Sequence, residues 1–117
     1  MFQALKVSDE MRPVLTAMLD ALGEPPQVLT TDSPHPLVVH RIMGQITFVA
    51  AGTGLASLAG QAVELNPGDL FIMSPNCEHA FRCQRDALEL RHWHWPQSLL
   101  QTDRIVLVEA FDIEAPR

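Results

Sequence analysis

Apolar residues near the N-terminus follow a helical spacing. Between Ser8 and Leu22 they recur at intervals of three and four, at Met11, Val14, Leu15, Met18, Leu19 and Leu22. This spacing predicts an amphipathic helix that buries one face. Pro13 suits the first turn of a helix, so 13–22 is the firm part of the prediction and the start between Ser8 and Arg12 stays open. Gly23 is expected to end the helix.

From Val28 onward the chain consists of short runs rich in Val, Ile, Leu, Phe and Thr, separated by Gly, Pro, Asn and Asp. Such runs predict β-strands joined by tight turns. Eight or nine strands with close turns indicate a sandwich or barrel. We therefore expect an all-β protein, a single domain over residues 1–117, with a helix at about 8–22, a barrel at about 28–111 and a loose tail. The predicted strands are 28–31, 37–42, 45–50, 55–58, 62–65, 70–73, 79–82, 88–95 and 105–111.

Composition and charge exclude several classes of partner. The chain carries 8 Lys and Arg against 14 Asp and Glu, a formal charge of −6, and its basic residues are scattered. Nucleic acid is therefore not an expected partner.

No apolar run reaches the roughly 20 residues of a membrane span, and the first ten residues do not have the layout of a secretory signal. We expect a cytoplasmic protein in which Cys77 and Cys83 are free thiols.

Two blocks of residues carry the main candidate chemistry. In the first, Gln45 and Gly52 follow His40 at intervals of five and seven, and in the second His79 follows Gly68 by eleven. These blocks resemble the two signature motifs of the cupin superfamily, G-x5-H-x-H followed by E-x6-G, and G-x5-P-x-G-x2-H-x3-N. His40, Gly52, Gly68 and His79 match in type and spacing. The departures are Asp32 for the opening glycine, Val38 for the first histidine, Gln45 for the glutamate, a displaced Pro75, Asn76 for the second-motif glycine and Cys83 for the final asparagine.

The resemblance implies the small antiparallel β-barrel of cupins, a jelly roll or double-stranded β-helix, as in small RmlC-like members. In metal-bearing cupins three histidines and the glutamate hold iron, manganese, zinc, nickel or copper. Here His40, Gln45 and His79 remain, and a neutral amide is a weaker ligand than a carboxylate for a divalent ion. Two alternatives stay open: one divalent ion, such as Fe, Mn, Zn or Ni, or a barrel without metal whose histidines line a ligand pocket.

His92 and His94 are candidate replacement ligands. Because side chains alternate along a strand, they share one face with Leu88 and Leu90. If that face points inward, both imidazoles enter the barrel and can complete a metal site with His79. Alternation does not fix the direction of the face, so the pair can instead lie at the barrel mouth or edge.

Two functions follow from these residues. The first is a binding protein that holds a small polar molecule through His40, Gln45 and His79, in a pocket also formed by Phe48, Leu70, Ile72 and Phe81. The second is a metal-dependent enzyme, of the dioxygenase, decarboxylase or isomerase type by resemblance, with His40, His79 and His92 or His94 as ligands. The substitutions at Val38 and Gln45 favour binding, and no catalytic residue is assigned.

The order of elements is also similar to the effector-binding half of AraC-type transcription regulators, which favours a sensing or regulatory role. The residues after the last predicted strand are too few for the two helix-turn-helix units that follow the barrel in those proteins. A homodimer is expected, formed by the helix at 13–22 and by an edge strand that carries Trp93 and Trp95.

Overall fold

The structure is a computed structural model that describes residues 1–115. Strands account for most of its regular structure, with one α-helix near the N-terminus and one short 3₁₀ turn. The elements are β1 (Phe2–Lys6), α1 (Arg12–Leu22), β2 (Gln27–Thr30), β3 (Leu37–Val39), β4 (Gly44–Ala51), β5 (Gly54–Leu58), β6 (Gln61–Leu65), β7 (Asp69–Met73), β8 (His79–Cys83), β9 (Ala87–Trp95), the 3₁₀ turn Gln97–Leu99 and β10 (Ile105–Val108).

The strands form two five-stranded antiparallel sheets. The first has the order β1-β7-β4-β9-β2 and the second has the order β10-β3-β8-β5-β6. Apolar side chains from both sheets meet in one buried cluster, so the sheets pack face to face. The expected antiparallel jelly-roll barrel is confirmed. No helix within residues 1–115 has both the length and the apolar character that a membrane crossing requires.

The inward face of the first sheet changes character along its length. On β9, Leu88 and Leu90 are completely buried in the apolar cluster, whereas His92 and His94 follow on the same face and line a cavity. The end of the barrel that contains the leucines is therefore solid. The end that contains the histidines is open and polar. The cluster consists of Leu29, Val49, Ala56, Leu58, Leu65, Phe71, Met73, Cys77, Cys83, Leu88 and Leu90.

Helix α1 packs against the outer face of β9. Asp20 accepts a hydrogen bond from the guanidinium of Arg91 at 2.5 Å, and Leu19 is the buried residue of the helix. Arg12 donates to the carbonyl of Pro67 at 3.2 Å, which ties the first turn to the loop before β7. The helix begins at Arg12, with Pro13 in its first turn as expected, and Ser8–Met11 form a turn before it.

The apolar face predicted for α1 is mostly uncovered. Met11, Val14, Met18 and Leu22 are each about half exposed, between 49% and 52%. The expectation that this whole stripe is buried was wrong, because only the side of the helix that carries Leu19 reaches the sheet. The spacing of apolar residues predicts the helix, but it does not predict how much of the apolar face is buried against the rest of the chain.

Three further expectations about the strands need correction. The pattern missed β1, an edge strand whose pairing with β7 compensates for its largely exposed side chains. Strand β9 is not an edge strand, because β4 and β2 pair with it on its two sides. The tail is not loose throughout, since Ile113 is buried against Leu37, Leu55 and Ala80.

Candidate functional site

A cavity of about 350 Å³ opens at the polar end of the barrel. Its wall contains five aromatic rings in a closed circuit, from His40 to His79, Phe81, His92, His94 and back to His40. The ring centroids lie 5.2, 5.7, 5.7, 6.1 and 4.9 Å apart in that order. Both sheets contribute, so the four histidines come together only when the barrel closes.

His40 and His79 are held in the same way. The Nδ1 atom of His40 lies 2.6 Å from the carbonyl oxygen of Asp103, and that of His79 lies 3.0 Å from the carbonyl oxygen of Cys77. A carbonyl only accepts, so Nδ1 carries the proton in both rings and Nε2 of the neutral ring holds a lone pair. Burial is the main cause that lowers the pKa of His40, and it lowers the pKa of His79 to about 4. Both Nε2 atoms are therefore hydrogen-bond acceptors at neutral pH.

His92 has the opposite tautomer. Its Nε2 donates to Oε1 of Gln27 at 2.7 Å, and its Nδ1 accepts from the hydroxyl of Thr47 at 2.8 Å. The same hydroxyl oxygen accepts from Nε2 of Gln45 at 2.8 Å. Burial lowers the pKa of His92 to about 3, so the ring is neutral. Both ring nitrogens of His92 are committed within the protein, and a metal ion would have to break one of these bonds.

Gln45 stands opposite His94 in the pairing of β4 with β9. Its Oε1 atom is buried and has no hydrogen-bond partner within residues 1–115. The Nδ1 atom of His94 bonds to the carboxylate of Glu24, and the same carboxylate accepts the backbone N–H of His94 at 3.2 Å. The Nε2 atom of His94 has no such bond in the described part of the chain. The cavity wall thus combines an unpartnered amide oxygen with free imidazole nitrogens.

Asp103 is a functional residue that the sequence did not reveal. Its carboxylate accepts the backbone N–H groups of Arg41, Ile42 and Met43 at 2.9, 2.8 and 2.7 Å, in addition to the bond from His40 to its carbonyl. Burial acts to raise the pKa of Asp103, but the three backbone donors outweigh it and lower that pKa. Asp103 therefore clamps the loop after β3 and orients His40. No local pattern could have shown it, because its partners lie 60 to 63 residues earlier.

Three of the predicted pocket residues do not line the cavity. Phe81 does line it, but Phe48, Leu70 and Ile72 do not. Phe48 pairs with Leu70 across β4 and β7, and the alternate residues Phe71 and Met73 are the ones in the apolar cluster. Phe48, Leu70 and Ile72 therefore point to the outer face of the first sheet. The prediction assigned these residues to the wrong face of their strands. Side chains alternate along a strand, so an error of one residue moves each of them to the opposite face.

The cavity contains the types of donor atom, imidazole nitrogen and amide oxygen, that can bind a divalent metal ion. In His40, His79 and His94, Nδ1 is bonded to an oxygen atom, which is the usual arrangement of metal-bound histidines that coordinate through Nε2. The unpartnered Oε1 of Gln45 adds an oxygen donor. Their spacing is not that of a metal site, because no group of three or more His, Cys, Asp or Glu among residues 1–115 is placed to hold an ion.

The barrel, its motif positions and its cavity define a class of protein. A family model described as a cupin domain matches residues 30–95, which is more than half of the chain. The protein therefore belongs to the cupin family. A comparison with curated protein sequences returned no significant match.

Solved structures of similar fold support the same assignment. The DMSP lyase DddQ from Ruegeria pomeroyi DSS-3 superposes with a TM-score of 0.59 at 20% identity, over 74% of this chain and 43% of that one. Salicylate 1,2-dioxygenase from Pseudaminobacter salicylatoxidans gives a TM-score of 0.58 at 13% identity, over 72% of this chain and 24% of that one. The matched regions make up less than half of these proteins. At such identities the likeness concerns the fold.

Replacing Asp103 by alanine tests the clamp. We expect Asp103→Ala to lower the free energy of unfolding at pH 7 by roughly 2 to 4 kcal/mol, because three backbone donors lose a charged acceptor. The pKa of Asp103 is lower in the folded chain than in the unfolded chain. Its contribution is therefore present above the unfolded pKa of about 4 and disappears as the pH falls through the folded pKa. Urea unfolding measured at successively lower pH should show that the difference in free energy of unfolding between wild type and Asp103→Ala becomes smaller.

The matched control is Asp32→Ala, since Asp32 is exposed. It should stay within about 0.5 kcal/mol of wild type throughout. A deficit in Asp103→Ala that is the same at every pH would contradict a clamp that depends on the charge of the carboxylate.

Proposed function

We propose that this cupin binds a small polar molecule in the cavity, in a sensing or regulatory role. The observation that carries the proposal is the set of three acceptor atoms on the wall: Nε2 of His40, Nε2 of His79 and the buried Oε1 of Gln45. A buried acceptor without a partner is costly, and a ligand that donates a hydrogen bond removes that cost. The cavity therefore favours hydroxyl, amine or amide groups.

The dimensions and lining of the cavity suit a small organic ligand. Its volume of about 350 Å³ is that of a small-molecule site. Leu29, Val38, Phe81 and Leu100 supply apolar wall beside the acceptors. The expected ligand has a compact apolar part and a donor-rich edge. The sensing role is supported by the similarity in element order to the effector-binding half of AraC-type regulators.

Lactamide, a neutral molecule with hydroxyl and amide donors, is a direct probe of this proposal. We expect saturable shifts of the His40 and His79 ring protons in NMR titrations. Affinity should fall at least about fivefold in His79→Ala, which removes one acceptor. His35→Ala is the matched control, because His35 bonds to the carbonyl of Phe111 and does not line the cavity. The absence of any saturable shift in wild type would contradict the proposal.

A metal centre is the second candidate, and it rests on the Nδ1 bonds of His40, His79 and His94. These three residues, with Gln45, would hold the ion, which would supply Lewis-acid or oxygen chemistry. The names of two proteins of similar fold, a lyase and a dioxygenase, are compatible with an enzymatic role. The Glu24 carboxylate would keep His94 oriented and strengthen its Nε2 as a ligand.

Elemental analysis of tag-free protein separates the two candidates. The metal centre predicts one ion per chain in wild type and in His35→Ala, after incubation with Fe, Mn, Zn or Ni where needed, and loss of the ion in His79→Ala. If wild type takes up none of these metals, the metal centre is contradicted and the small-molecule pocket remains as the proposed function.

We also propose that the uncovered face of α1 pairs with the same face of a second copy. Val14, Met18 and Leu22 flank a shallow apolar groove formed with Ala17 and Ala21. Small residues let two helices approach closely, and a twofold contact buries the same stripe on both copies. The tryptophans of β9 are not needed for this contact.

Light scattering coupled to size exclusion tests the dimer. Wild type is expected to elute as a dimer at micromolar concentration, and Met18→Glu as a monomer because it places a charge in the apolar contact. Gln84→Glu, an equal change of charge at an exposed turn, should remain dimeric. A monomeric wild type would refute the proposal.

A further inference from the structure

Arg104 is a charged residue of the cavity wall. It lines the cavity and is also exposed to solvent, which places it at the cavity mouth. None of the ion pairs formed within residues 1–115 involves its guanidinium. After burial, which is the main cause, the positive charge of Arg104 contributes to the lowered pKa values of His40 and His79. The guanidinium therefore acts on the same space as the acceptor atoms.

The backbone at Arg104 is held in place by its neighbour. Asp103 receives the three backbone N–H bonds of the loop after β3 and the Nδ1 bond of His40, and its own N–H donates to the carbonyl of Leu99 at 2.8 Å. These bonds fix the backbone next to Arg104 relative to His40. A cation carried on an anchored backbone loses less freedom on binding than one on a mobile loop.

Among the charged residues of the cavity wall, Arg104 forms no ion pair with any residue between 1 and 115. Glu24 also lines the cavity, but its carboxylate is bonded to His94 and to Nε2 of Gln97. Further into the cavity, the neutral ring of His79 and the amide of Gln45 present acceptor atoms, Nε2 and Oε1. A molecule in the cavity therefore meets a positive charge at the mouth and acceptors farther inside.

We propose that Arg104 is the specificity-determining residue of the cavity and binds the carboxylate of a small hydroxycarboxylic acid, whose hydroxyl donates to His40, His79 or Gln45. The inference rests on the small-molecule function proposed above and names the chemical class of the ligand. The planar guanidinium fork matches a carboxylate in a bidentate pair. The dianion of a phosphate monoester fits less well, because its terminal oxygens only accept hydrogen bonds and would face the acceptor atoms of the wall.

Three matched pairs of acid and amide test the proposal: glycolate and glycolamide, lactate and lactamide, mandelate and mandelamide. Within a pair, shape and hydroxyl are retained, while the negative charge is lost and one carboxylate oxygen is replaced by an NH2 donor. Calorimetric titration into wild type should show at least one acid bound about tenfold or more tightly than its amide, since a charged hydrogen bond is involved. In Arg104→Gln that preference should vanish while the amide affinity stays. Arg85→Gln, at an exposed turn away from the cavity, should keep the preference.

The outcomes distinguish a failure of the Arg104 proposal from a failure of the small-molecule function on which it rests. Acids that bind no better than amides in wild type, or a preference that survives in Arg104→Gln, would overturn the role of Arg104 and leave the small-molecule pocket standing. If neither acids nor amides bind, both proposals fail. Inorganic phosphate that displaces the acid at equal or lower concentration would overturn the assignment to carboxylates.

Discussion

The cavity depends on which nitrogen of each histidine carries the proton. His40, His79 and His94 are each bonded through Nδ1 to an oxygen atom of the protein, so Nε2 is left for the cavity. His92 is bonded through both nitrogens and only supports the wall. In the two rings whose Nδ1 donates to a backbone carbonyl, burial keeps the imidazole neutral and makes Nε2 an acceptor. The hydrogen-bonding character of the cavity follows from these bonds.

The fold supplies the bonds by dividing the barrel into two halves. Leu88 and Leu90 anchor β9 in a solid apolar end, and the same strand then carries His92 and His94 along the cavity. The solid end provides the stability that lets the open end contain buried polar atoms. Asp103 adds the remaining restraint, since its carboxylate fixes the loop that follows His40. The cavity wall is built on packed strands and a clamped loop, so we expect it to be rigid before any ligand arrives.

The sequence predicted the fold and half of the site for identifiable reasons. The resemblance to the cupin motifs implied the barrel and a place for His40 and His79 in its interior, and alternation predicted that His92 shares the face of Leu90. Alternation could also have excluded Phe48, because an odd separation from Gln45 puts the two on opposite faces of one strand. The partners Asp103 and Glu24 had no such signal, since each meets its histidine across more than 60 residues of chain. Tertiary contacts of this kind leave no local pattern.

The protonation state of the cavity histidines is the central claim, and nitrogen NMR of the imidazole rings at neutral pH measures it directly. Long-range proton–nitrogen correlations distinguish a protonated ring nitrogen from one with a lone pair. We expect protonated Nδ1 and unprotonated Nε2 in His40 and His79, and the reverse in His92. Doubly protonated rings, or protonated Nε2 in His40 and His79, would contradict an acceptor wall and the ligand class derived from it.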